Sequence, residues 1–151
     1  MGVGEDGHMS ELLLSATAQL TGPIDTIRLT LHILAATIWV GGQLVLLGLL
    51  PVLRAVGGDL PKAAARAYNK IAWPAFGVLL VTGVWNELVM DNTGATNYRI
   101  ARAIKLFFVA MSGVGAYLHI KSKTPMVRGI WGGVGLIGAL GATVSGVILA
   151  G

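Results

Sequence analysis

Residues 29–53, LTLHILAATIWVGGQLVLLGLLPVL, contain no charged side chain between Arg28 and Arg54. A helix needs about 20 apolar residues to cross the hydrocarbon core of a bilayer, so this stretch is long enough for one crossing. A second such stretch, GIWGGVGLIGALGATVSGVILAG at 129–151, is equally free of charge. Between them lie two shorter apolar runs, IAWPAFGVLLVTGVWN at 71–86 and LFFVAMSGVGAYLHI at 106–120. Each reaches full length only by taking charge into its outer end: Glu87 in the second span, Arg102 and Lys105 in the third. The expected fold is therefore an all-α membrane protein, an antiparallel bundle of four transmembrane helices near 24–54, 61–90, 98–122 and 126–150.

Composition points the same way. Of the 151 residues, 54% are hydrophobic and 12% charged, half the roughly 25% charge of a soluble domain. Four crossings and their loops fill the chain and leave no room for a soluble domain. The absence of cysteine excludes disulfides, thiolate metal sites and cysteine nucleophiles. The basic residues sit at helix ends rather than in one patch, which argues against nucleic acid. There is no nucleophile–base pair, phosphate loop or two-carboxylate site, and the glycine pairs at 41–42 and 132–133 fall inside spans, as packing features.

The chain divides into a tail, 1–23, and a transmembrane domain, 24–151. Ser10 before Glu11 and a leucine run reads as an N-cap, and Gly22-Pro23 as a stop, giving a short interfacial helix at 10–20. Glu5, Asp6 and Glu11 stand where a signal peptide would be basic, so none is expected, and Met1 and Met9 are alternative starts. Arg54, Lys62, Arg66, Lys70, Lys121, Lys123 and Arg128 collect on one side, with Asp59 as the sole acid there. The positive-inside rule makes that side cytoplasmic and both termini external, in a multi-pass protein of the inner membrane.

Ionisable groups in hydrocarbon are costly, which makes each a candidate for function. Asp25, Arg28, His32, Trp39 and Gln43 recur at helical spacing along one stripe of the first span, as do Lys105, Ser112, Ala116 and His119 on the third. His32, Glu87, Arg102 and Lys105 are expected to converge at the outer end, with Glu87 compensating Lys105 and Asp25 matching Arg28. His32 reads as a haem or metal ligand, a hydrogen-bonded core residue or a proton carrier. His119 is the second candidate metal ligand. It lies about 13 residues deeper than His32, or roughly 20 Å, so the two do not share one ion. The methionines are scattered across depths and form no copper relay.

RLTLHILAATIWVGGQLVLLGLLPVLR at 28–54, with its histidine early in the span followed by Trp-Val-Gly-Gly, resembles the CopD family of copper resistance membrane proteins. ARAYNKIAWPAFGVLLVTGVWN at 65–86 and RIARAIKLFFVAMSGVGAYLH at 99–119 are similar to that family's second and third helices, and the likeness spans about 24–121. The HemJ haem-binding protoporphyrinogen oxidases share a similar plan, with histidine on the first helix and lysine on the third. In both families the matching positions are His32 and Lys105. The resemblance implies a protein that binds or passes copper, or one that holds haem b on His32 with Lys105 near a carboxylate and acts, if an enzyme, as a membrane oxidoreductase. A third reading is a non-catalytic subunit or homo-oligomer that packs through Gly138, Ala142 and Gly146, spaced four apart, although that spacing suits close packing within one bundle better.

Overall fold

The computed structural model describes residues 9–10, 22–89 and 96–150, and among these there is no strand. Four helices are long and apolar enough to cross a membrane. The first, Pro23–Val56, is made of α1 (Pro23–Ala36), a five-residue π turn (Thr37–Gly41) and α2 (Gly42–Val56). The others are α3 (Leu60–Val89), α4 (Thr96–Lys121) and α5 (Pro125–Ala150). Their ends fall within about two residues of the expected bounds. Met9 and Ser10 are helical, and the rest of the expected interfacial helix lies outside the described residues.

Local chemistry sets the ends. Pro23 opens α1 where no N–H is needed, and both the amide and the hydroxyl of Thr26 bond back to the Gly22 carbonyl, at 2.9 and 3.0 Å. The turn between α2 and α3 uses Gly57 and Gly58 at φ 88° and 63°, a region other residues avoid. Asp59 then starts α3, accepting from Ala63 through its carbonyl and from Lys62 through its carboxylate, both at 2.9 Å. The hydrogen bond from Lys62, and then its charge, hold the exposed Asp59 carboxyl below the usual carboxylate range.

The helices pack with their apolar side outward: Val81 is 68% and Leu88 80% exposed. The interior is thin and made of small residues around one aromatic cluster. Trp39 stacks on Phe76 at 4.4 Å and meets Trp73 edge-on at 5.6 Å, over Ala72 and Ala139. α4 and α5 approach most closely. A Cβ on Gly115 would stand 2.5 Å from the Gly135 nitrogen, and one on Gly138 would stand 2.5 Å from that of Ser112. Glycine is what allows these backbones to touch. Two members of the small-residue series on α5 pack within the chain, Gly138 against Ser112 and Gly146 beside the Lys105 stem.

Candidate functional site

The contacts between helices fix which residues stand level. Glu87 pairs with Arg102, and Phe76 covers Gly113, each contact eleven residues from the other along its own helix and in opposite senses. In that register Lys105 stands level with Val84. His32 of α1 meets Thr82, and a Cβ on Gly83 would stand 3.7 Å from its ring. His32 and Lys105 therefore occupy one level. Arg28, one turn out from His32, falls level with Asn86, Glu87 and Arg102.

At this end the described structure confirms one expected ion pair and corrects another. Arg28 Nη2 lies 3.0 Å from Asp25 Oδ1, as the spacing predicts. Glu87 does not compensate Lys105: its Oε2 lies 3.1 Å from Arg102 Nη1. The two candidate cations are three residues apart on one helix face, and the register favours Arg102. Oε2 is close to Arg102 in charge but has no donor aligned on it. Lys105, half-buried with its stem along Gly146, has neither hydrogen bond nor ion pair among the described residues.

The His32–Thr82 contact decides the imidazole's chemistry. His32 Nδ1 stands 2.7 Å from Thr82 Oγ1, and Thr82 Oγ1 stands 2.7 Å from the Val78 carbonyl. A carbonyl only accepts, so the single hydroxyl proton goes to Val78. Oγ1 is then the acceptor for His32, and Nδ1 carries the ring proton. In the neutral ring that leaves Nε2 with a bare lone pair, and tying one nitrogen to a fixed acceptor is how proteins orient a metal-binding histidine. Thr82, 3% exposed, also forms part of the wall of an apolar groove of about 460 Å³ with Leu31, Gly77, Val81 and Trp85. Sequence reasoning missed Thr82, although a threonine within VLLVTGVW was visible as an isolated hydroxyl in a span.

Trp39 and Gln43 belong to a different, deeper set of contacts. Trp39 Nε1 donates to Ser112 Oγ at 3.0 Å, joining the first span to α4. Its carbonyl accepts from Gln43 Nε2 at 2.9 Å and from the Tyr68 hydroxyl at 2.7 Å. The π turn explains the separation. It loosens the helix over Thr37–Gly41, so residues beyond it leave the stripe on which His32 lies and a main-chain carbonyl is freed for side-chain donors. Gly42 is required here, since a Cβ would collide with the Tyr68 ring.

His119 stands at the other end. Its Nδ1 donates to the Arg128 carbonyl at 2.8 Å, while Arg128 Nη2 donates to the Ser122 carbonyl at 2.9 Å, so these side chains close the α4–α5 turn. By the register it lies about twelve residues, roughly 18 Å, from the level of His32. The two histidines do not come together, and among the described residues no group of three His, Cys, Asp or Glu could hold a metal ion. No family model, no curated protein and no solved structure matches the chain.

Proposed function

We propose that the chain is a multi-pass protein of the inner membrane, an antiparallel four-helix bundle with both termini outside, whose outer end holds a metal centre on His32. The apolar exterior, the four crossing-length helices and the basic residues on one side support the membrane reading. The observation that carries the site is the His32–Thr82 hydrogen bond, which leaves Nε2 as a ligand.

Of copper and haem b, the surroundings favour haem. A copper ion held by protein needs several soft or imidazole donors converging on it. Here a single imidazole is flanked by Arg28, Arg102 and Lys105, whose charges oppose a bare cation. A haem brings its own four nitrogens, takes one histidine as axial ligand, and carries carboxylates that cations complement. The donor set fits that group: His32 Nε2 would ligate it, Thr82 fixes the ring, and Lys105, which has no ion pair among the described residues, would meet a carboxylate. Haem iron held there would supply one-electron or oxygen chemistry. The likeness to the CopD and HemJ families at His32 and Lys105 agrees with this placement.

An absorption spectrum of detergent-purified protein, paired with elemental analysis, tests the proposal. A Soret band that His32→Ala removes supports haem. Stoichiometric copper without a Soret band, lost in His32→Ala, would move the assignment to a CopD-like copper protein. The lack of both would leave the non-catalytic subunit.

A further inference from the structure

One turn outward from His32, the Arg28 side chain is 8% exposed, yet Asp25 accepts from only one of its three nitrogens, Nη2. Nε and Nη1 are buried without an acceptor. At the same level Asn86 Oδ1 and Glu87 Oε2 are buried without an aligned donor. Unmatched guanidinium donors and an unmatched amide acceptor therefore face the same end of the bundle, with a carboxylate oxygen that faces the Arg102 charge at 3.1 Å, and buried polar groups without a hydrogen bond are costly. A ligand that completes the set must accept from a guanidinium and also donate hydroxyl protons.

We propose that this rim is a binding site for a glycerophosphate group: phosphate oxygens on Arg28, glycerol hydroxyls toward Asn86 and Glu87. A guanidinium favours phosphate because its planar donors match the oxygens and its charge persists when desolvated. A phosphatidylglycerol headgroup has this chemistry, and Arg28 stands where the outer headgroup layer falls if the chain spans the membrane. The site rests on that membrane reading and not on a metal at His32. Lys105, one turn deeper at the level of His32, is not part of it.

Native mass spectrometry of the detergent-released protein tests the site with dioleoylphosphatidylglycerol, dioleoylglycerol and sn-glycerol 3-phosphate. The wild type should retain one phosphatidylglycerol and no dioleoylglycerol, which has the same tails without the phosphate. Arg28→Gln should reduce retention about tenfold, the effect of losing a charge-assisted hydrogen bond. Asp25→Asn should raise it by freeing Nη2, an outcome a merely structural Arg28 would not produce. His32→Ala should leave it unchanged, which separates this site from the metal proposal. Retention of glycerol 3-phosphate as firm as that of the lipid would keep the phosphate site and assign it to a soluble ligand. If Arg28→Gln fails to fold, the comparison of phosphatidylglycerol with dioleoylglycerol on the wild type still decides. Equal retention of the two, or retention in Arg28→Gln equal to wild type, overturns the proposal.

Discussion

His32 Nδ1 and Thr82 Oγ1 meet at 2.7 Å, and the threonine's own proton is already committed to the Val78 carbonyl. Two helices and one proton thus set which nitrogen of the imidazole keeps a free lone pair. A histidine in a span is ambiguous by itself. The Thr82 bond removes the ambiguity by leaving a single tautomer that satisfies all three atoms.

Thr82→Val keeps the shape of the side chain and removes the acceptor. Loss of such a supporting contact typically weakens metal affinity by about 10- to 100-fold. Titration of the purified protein with haem should show that loss in Thr82→Val and wild-type affinity in Thr82→Ser. Equal binding by all three proteins would mean that the Thr82 contact does not orient the ligand.

Lys105→Gln and Arg102→Gln should separate cleanly. Lys105 has no ion-pair partner among the described residues, so its loss should leave thermal stability nearly unchanged while weakening binding of the metal centre. Arg102 pairs with Glu87, and both side chains are only a quarter to a third exposed. Breaking that pair should cost between the roughly 1 kcal/mol of an exposed pair and the 3–5 kcal/mol of a buried one. Thermal melting in detergent checks both variants. A melting loss in Lys105→Gln as large as that in Arg102→Gln would restore a Glu87–Lys105 pair.

These pairings mark the boundary of what the sequence made legible. Two charge-free windows and two charge-tipped ones located all four helices, because hydrocarbon leaves little choice about where polar residues go. The Asp25–Arg28 pair was equally visible, being set by local geometry. Partners across helices were not. Glu87 had Arg102 and Lys105 within one turn of each other, and only the packed register discriminates between them. The π turn was hidden as well, since TIWVG contains no breaker, and it moved Trp39 and Gln43 away from His32 toward Ser112 and Tyr68. Thr82 went unnoticed because its role depends on a histidine fifty residues earlier.

Gly138→Ala should destabilise the α4–α5 pair. The new methyl would stand 2.5 Å from a backbone nitrogen that cannot yield without moving the helix, and overpacking of this kind costs about 1–3 kcal/mol. Gly133→Ala is the control on the same helix, with nothing within 4 Å of its Cβ. It should be neutral, or stabilising by up to about 1 kcal/mol through helix propensity. Melting temperatures that fall equally in both would show that α4 and α5 are not in the close contact described.

His119→Ala should lower stability by about 0.5–1.5 kcal/mol, the worth of the hydrogen bond that closes the α4–α5 turn, and leave the metal centre in place. Thermal melting and the absorption spectrum of the same sample read the two effects together. Loss of the bound centre with unchanged melting would move the chemistry from His32 to the opposite end of the bundle.

The most direct test of the His32 site is nitrogen NMR on protein labelled with ¹⁵N-histidine, purified without metal or haem, with His32→Gln used to assign the signals. The account predicts that neutral His32 carries its proton on Nδ1 and shows a pyridine-type Nε2, and that Thr82→Val disturbs this state. A His32 ring protonated on Nε2, with its lone pair turned toward Thr82, would contradict it.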